Sequence, residues 1–373
     1  MYSRSKLMST IPLFRRYPAL KESLPRIEMA ALPTPVERVS GLTAGNGQAE
    51  VYVKRDDLTG DTFGGNKIRK LEFLLGQARA EGRTRVITVG GAGSNHALAT
   101  TLCARQVGLR AALMLFPQPN AHAVRRNLLM DLHAGADLHP CDDYGAFRDR
   151  SEQLRAHYSR LDGVEPMLIP AGGSAPAGVV GYVNAGLELA EQIRAGVMPR
   201  PSRIYLALGT MGTAVGLLMG LRVAGFEIEV VGVRVVPTSI GSESRMRSLF
   251  DATNRLLHEK DASFPLLEPH DDWFRVEHGF YGGEYGRFTA ESVDAVTRVG
   301  DATGLALDGT YTGKACAALL AHMASGQATG PLLYWHTRNS RPYPPEALAR
   351  DYHELPRELW PYFENPVQEE TFG

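Results

Sequence analysis

The segment Phe63-Gly64-Gly65-Asn66-Lys67-Ile68-Arg69-Lys70 runs two glycines straight into a lysine at the start of a helical pattern. A lysine so placed can ligate a phosphate, act as a covalent amine, or only occupy a solvated first turn. Three further glycine-rich loops carry polar side chains: Gly90 to Asn95, Ala171 to Ser174, and the run Gly209, Thr210, Met211, Gly212, Thr213.

Spacing removes most familiar chemistries. A phosphate-binding P-loop needs Gly-Lys-Ser/Thr, but Asn66 separates Gly65 from Lys67 and Ile68 stands where a magnesium-binding hydroxyl belongs. The dinucleotide fingerprint breaks at His96 after Gly91 and Gly93, and the nucleophile elbow breaks around both Ser94 and Ser174. No histidine pair has the spacing of a helical metal site, so no metal is expected. What survives is Lys67 as a covalent amine, with a separate phosphate cradle at Gly209 through Thr213. There, N–H groups at a helix start and nearby hydroxyls would face a dianion. A cofactor with both an aldehyde and a phosphate uses both parts. Pyridoxal phosphate is that cofactor: a Schiff base on the lysine, the phosphate anchored remotely, and a ring that accepts electrons from Cα of an amino acid.

The elements that must position these groups alternate along the chain. Residues 1–48 read as an irregular arm broken by Pro12, Pro18, Pro25, Pro33 and Pro35. Strand patterns follow at 51–54, 85–89, 110–116, 167–169, 203–208, 227–236 and 332–335. Helical patterns cover 68–78, 95–107, 123–134, 179–195, 212–223, 242–258 and 290–303. This alternation implies right-handed crossovers and mainly parallel sheets, an α/β fold. Glycine loops that follow strands and open helices at 90–95, 171–178 and 209–213 mark one edge of the sheet as the binding edge. A tail rich in proline and acid begins at Arg338.

The 373 residues suffice for one large or two moderate domains. Lys+Arg 40 against Asp+Glu 41 favours neither nucleic acid nor an acidic membrane surface, which leaves a small molecule as the expected partner. Cys103, Cys141 and Cys316 are odd in number and widely spaced, so they read as buried, inert thiols in a reducing cytoplasm. No run approaches the roughly 18 apolar residues of a membrane span, and the N-terminus does not read as a signal peptide.

The chain resembles the 1-aminocyclopropane-1-carboxylate deaminase and D-cysteine desulfhydrase family, with its tryptophan synthase β-like (fold type II) architecture. The resemblance rests on Leu32-Pro33-Thr34-Pro35, Val53-Lys54-Arg55-Asp56-Asp57, Phe63 through Glu72, Ser94-Asn95-His96, Glu284-Tyr285-Gly286, Tyr311-Thr312-Gly313-Lys314 and His336-Thr337, in consistent order over roughly residues 30 to 340. It implies two open parallel-sheet domains with the cofactor in the cleft between them. The large domain would be 1–69 with 191–373, including the arm (1–48) and the tail (338–373), and the small one 70–190. It implies a homodimer. It also implies that Lys67 carries the cofactor and moves the Cα proton, and that Ser94, Asn95 and His96 hold the substrate carboxylate, Asn95 also reaching the ring oxygen. Tyr311 would lie against the ring, Tyr285 would be a second phenol near the substrate, and Thr337 would face the pyridine nitrogen.

Two departures bear on the reaction. Where the deaminases carry a glutamate after the ring-stacking tyrosine, this chain has Thr312, a neutral group that suits β-elimination better than cyclopropane opening. Arg338 stands where the desulfhydrase-like members more often have glycine, and could contact a second anionic group such as a sulfonate. The reading is thus a lyase acting on a small amino acid and releasing a keto acid and ammonia. The alternatives are aminocyclopropane deamination, racemisation, or a non-catalytic module binding a phosphate ligand. Several residues also have ordinary readings. Arg69 and Lys70 read as solvated first-turn cations, Lys54 as a structural partner of Asp56 or Asp57, and His96 as equally a packing residue.

Overall fold

A computed structural model describes residues 10–42, 49–142 and 147–368. Among them, ten strands form two sheets. In chain order they are β1 (Val36–Val39), β2 (Val51–Lys54), β3 (Arg85–Gly91), β4 (Arg110–Phe116), β5 (Asp137–Pro140), β6 (Met167–Leu168), β7 (Arg203–Leu208), β8 (Glu229–Arg234), β9 (Arg275–Glu277) and β10 (Leu332–Trp335). The larger sheet runs β1-β2-β10-β7-β8-β9 and the smaller β5-β4-β3-β6. The β1/β2 pairing is antiparallel, and the other ladders between these strands are parallel. All four strands of the smaller sheet fall between β2 and β7 in sequence, so the larger sheet is built from both ends of the chain. That the small domain runs from 70 to 190 remains our proposal for the boundary.

The core strands are apolar because both of their faces are covered. β2, β10 and most of β4 and β7 are buried along their length. Two long helices lie between the sheets. The Lys67–Ala80 helix packs on the Pro176–Arg194 helix, which packs in turn on the Gly212–Val223 helix. Among the described residues no helix is long and apolar enough to cross a membrane.

The arm is more regular than its prolines suggest. It forms short helices at Pro12–Arg16 and Ala19–Ser23 before β1 pairs at the sheet edge. Pro12 sits in the first turn, where its missing N–H costs nothing. Likewise Pro176 opens its helix three residues before the periodic pattern begins. The apolar pattern also misses β5, β9 and the Phe147–Asp162 helix, which are short or strongly polar.

Candidate active site

The Lys67 loop is held by backbone contacts that only glycine allows. Gly65 has φ +97°, and a Cβ there would lie 2.8 Å from the Thr337 carbonyl oxygen. That same carbonyl accepts the Asn66 N–H at 3.1 Å, and the Asn339 side chain accepts the Gly64 N–H at 2.6 Å. The strand end at Thr337 thereby fixes where the helix begins. Asn66 has helical φ/ψ and does not cap the helix with its side chain. Its amide instead donates to Thr213 Oγ1 at 2.9 Å and accepts from Lys67 Nζ at 2.7 Å. One side chain so joins the lysine to the 209–213 loop.

The three cations of this first turn differ. Arg69 is buried, with its guanidinium on both Asp56 (2.8 and 3.0 Å) and Glu188 (3.0 and 3.0 Å). Lys54 also donates to Glu188, at 2.6 Å, while Tyr182 and the Trp335 indole donate to Asp56. Lys70 is buried too and donates to the Gly172 carbonyl at 2.9 Å and to Ser174 Oγ at 3.1 Å. The reading of Arg69 and Lys70 as solvated cations is therefore corrected: helix packing against Pro176–Arg194 takes both out of water. Lys54 is structural, but its carboxylate partner is Glu188, because Asp57 is taken by Arg55. Among the described residues no carboxylate lies within ion-pair distance of Lys67 or Lys70. Burial pulls Lys67 down to about 8, with Asp308 opposing, and pulls Lys70 well below the lysine range, with the charge of Lys67 adding to it.

Lys70 ends at the 209–213 loop. Ser174 Oγ lies 2.7 Å from Thr210 Oγ1 and accepts the Gly212 N–H at 3.2 Å. Met211, at φ 66°, is the one non-glycine residue with positive φ among the described residues, and it turns the chain into the helix starting at Gly212. A Cβ on Gly212 would stand 2.9 Å from Lys70 Nζ and 2.6 Å from Ser174 Oγ. The outcome is a small cradle lined by a buried amine without counter-charge, two hydroxyls and the N–H groups of a helix start. This donor set fits a phosphate.

Across the cleft, Ser94 caps the Asn95–Gln106 helix, accepting the Ala97 N–H at 3.2 Å, which leaves its own proton to donate. The Asn95 side-chain oxygen accepts from Asn127 at 3.0 Å. His96 is buried with its Nε2 on Thr88 Oγ1 at 3.0 Å. Since Thr88 gives its proton to the Ile169 carbonyl, His96 donates from Nε2 into the smaller sheet, while its buried Nδ1 has no hydrogen-bond partner among the described residues. Tyr285 packs over Gly91, where an added Cβ would lie 2.8 Å from the ring. Its hydroxyl hydrogen-bonds that of Tyr311, with ring centroids 6.1 Å apart at 64°. Burial raises both phenols, Tyr311 the more.

Asp308 was not singled out by sequence, although an aspartate three residues before Tyr311 is a local turn signal. It accepts the Tyr311 N–H at 2.6 Å and the Thr312 hydroxyl at 2.8 Å. Arg338 donates to the carbonyls of Ala306 (2.9 Å) and Leu307 (3.2 Å) and lies 3.9 Å from Asp308. Lys70 was the other omission; its signal was the i+3 spacing from Lys67, which places both on neighbouring positions of one helix face.

Comparison with known proteins gives the family. A family model described as "Pyridoxal-phosphate dependent enzyme" matches residues 27–337. The chain is 37% identical over 340 residues to the nocardicin C-9' epimerase of Nocardia uniformis subsp. tsuyamanensis, covering 88% of this chain and 98% of that one. It is 34% identical over 323 residues to the D-cysteine desulfhydrase of Salmonella paratyphi C, covering 84% and 93%. The crystal structure of an ACC deaminase homologue superimposes with TM-score 0.75 at 31% identity, covering 90% of this chain and 96% of that one.

Proposed function

As the chain belongs to the pyridoxal-phosphate dependent enzymes, in the group of the aminocyclopropane carboxylate deaminases and D-cysteine desulfhydrases, we propose that it is a lyase removing a Cβ substituent from a small amino acid. Membership of an enzyme family sets aside the binding-module alternative.

When bound, pyridoxal phosphate supplies an aldehyde for a lysine and a ring that withdraws electrons from Cα. In this reading Lys67 is that lysine. An amine held at about 8 gives up its proton far more readily than an ordinary lysine and is substantially neutral at mildly basic pH, so it can bond the aldehyde and later take the Cα proton. Lys70, Ser174, Thr210 and the helix start at Gly212 bind the phosphate, together with Gly209, Met211 and Thr213. The Ser94 hydroxyl and the N–H groups of the helix it caps bind the substrate carboxylate. Asn95, Tyr311 and Thr337 would hold the ring, Asn95 at its oxygen, Tyr311 against its face and Thr337 toward its nitrogen. Tyr285, over Gly91 and bonded to Tyr311, delivers a proton to the departing group. Arg338 is given no role toward the substrate in this reading, although among the described residues only its Nη1 is engaged, by two backbone carbonyls, and Nε and Nη2 are left for a second anionic group.

One observation carries the choice of elimination. Thr312 gives its hydroxyl proton to Asp308 and accepts the Asp308 N–H at 2.7 Å, so the carboxylate here is one hydroxyl removed from position 312. Less charge stabilisation is then on offer to a carbanion, which favours a reaction in which a leaving group carries the electrons away. The test is a panel of L- and D-amino acids bearing thiol, sulfonate, chloride or hydroxyl at Cβ, alongside aminocyclopropane carboxylate. Pyruvate and ammonia from a Cβ-substituted substrate are expected; α-ketobutyrate from the cyclopropane as the main product would overturn the reading. The paired phenols of Tyr285 and Tyr311 support a second reading, epimerisation at Cα, since they offer an acid besides Lys67. Inversion of a substrate without keto-acid release would establish it.

A further inference from the structure

Asn127 is buried on the His122–His133 helix, and all three of its amide hydrogen-bonding edges are used. Its Nδ2 lies 2.9 Å from the Gly93 carbonyl and 3.0 Å from Asn95 Oδ1, and its Oδ1 lies 2.6 Å from the Tyr343 hydroxyl. An amide can be rotated by half a turn at little steric cost, so its orientation has to be fixed by partners of known polarity. Gly93 supplies that polarity, because a backbone carbonyl only accepts. The edge of Asn127 facing it must be NH₂, and Tyr343 must then donate to Oδ1. The second Asn127 hydrogen is left for Asn95, which must receive it on its oxygen. Asn95 is partly exposed, and the edge it has left for a ligand is its NH₂.

We propose that Asn127 is a positioning residue that makes Asn95 an obligate hydrogen-bond donor to the ring oxygen of bound cofactor, with Tyr343, from the segment after β10, locking Asn127 in place. This rests on the assignment of Asn95 to that oxygen. The ring oxygen carries negative charge, which a donor stabilises and a lone pair opposes. Without Asn127, the Asn95 amide is free to turn its oxygen to the ring, and the charge on the ring oxygen is then held by a proton up to higher pH.

The experiment is a spectrophotometric pH titration of the visible band of the holoenzyme, carried out on wild type, Asn95→Ala, Asn127→Leu, Tyr343→Phe and the Asn95→Ala/Asn127→Leu double variant. Leucine keeps the branched shape of Asn127 at a somewhat larger volume and removes its polarity. Asn127→Leu is expected to raise the titration midpoint by about one pH unit, the size of one hydrogen bond to a charged group. Tyr343→Phe moves it the same way by less, since Gly93 still orients the amide. On the Asn95→Ala background, Asn127→Leu adds nothing, because the relay has already lost its end. An unmoved midpoint in Asn127→Leu, or an equal shift in both backgrounds, overturns the proposal. An unmoved midpoint in Asn95→Ala instead refutes the assignment of Asn95 beneath it. Should Asn127→Leu not fold, Tyr343→Phe with and without Asn95→Ala separates the same outcomes.

Discussion

Within one helical turn the chain takes three cations out of bulk water, Arg69 and Lys70 fully and Lys67 in part, and treats them in two ways. Arg69 meets two carboxylates that also hold Lys54, the Thr34 and Tyr182 hydroxyls and the Trp335 indole, so each charge has a counter-charge and each oxygen a donor. This hub ties the arm, β2, β10 and both central helices together. Lys67 and Lys70, on the cleft side, meet carbonyl, hydroxyl and amide oxygens but no carboxylate among the described residues. Burying a charge without a partner costs several kcal/mol, and the structure bears that cost by letting both amines lose their protons readily. Both regions draw cations away from water. What separates scaffold from chemistry is whether the counter-charge is built in or left for a ligand to bring.

The contrast can be broken most severely at Lys67. Lys67→Ala removes both the cofactor's amine and the base for Cα, so turnover should fall by at least about 10²–10⁴-fold, the range for loss of one acid–base group, with the fold retained by circular dichroism. Arg69→Met attacks the other region and should leave two buried carboxylates short of charge, costing about 3–5 kcal/mol in denaturant unfolding. Its pH dependence has a definite sign. In the folded protein Arg69 and Lys54 hold Glu188 down at about 2 against an ordinary 4.5, so its stabilisation is complete above 4.5 and disappears as pH falls through about 2. In Arg69→Met that loss should begin at higher pH. Lys70→Met should leave the melting temperature near wild type or above it, since a buried polar amine without a counter-charge is removed, while weakening pyridoxal phosphate binding by about 10- to 100-fold, as expected for one hydrogen bond to a charged group. The smallest effect is kinetic. The rate at which apo-protein captures pyridoxal phosphate should rise with pH around a midpoint of about 8, because the neutral amine reacts; an ordinary lysine would still be gaining rate at about pH 10.

The elements that frame the cleft were legible because apolar period and glycine punctuation both report burial and turning, which are local. Lys67 stands out as the candidate amine by elimination, from its two glycines and the failure of every competing spacing. The fate of its neighbours was not. Arg69 and Lys70 look like surface cations in any window of sequence, and only the packing of Pro176–Arg194, more than 100 residues away, shows that neither reaches water. His96 and Arg338 are divided cases: Thr88 engages Nε2 of His96 and the carbonyls of Ala306 and Leu307 engage Nη1 of Arg338, while His96 Nδ1 and the other Arg338 nitrogens are left for other partners. Asp308 and Asn127 act through hydrogen bonds to other side chains or to the backbone of a site residue, and such support leaves little trace in spacing.

The division between the two regions rests on Lys67, rather than another buried lysine, bearing the cofactor. Reducing the holoenzyme with borohydride fixes the lysine–pyridoxal bond, and mass spectrometry of a proteolytic digest then locates it. The pyridoxyl group is expected on the peptide containing Lys67 and on no other lysine. Its recovery on Lys54, Lys70 or Lys314 would contradict the assignment and with it the contrast between a paired scaffold and an unpaired site.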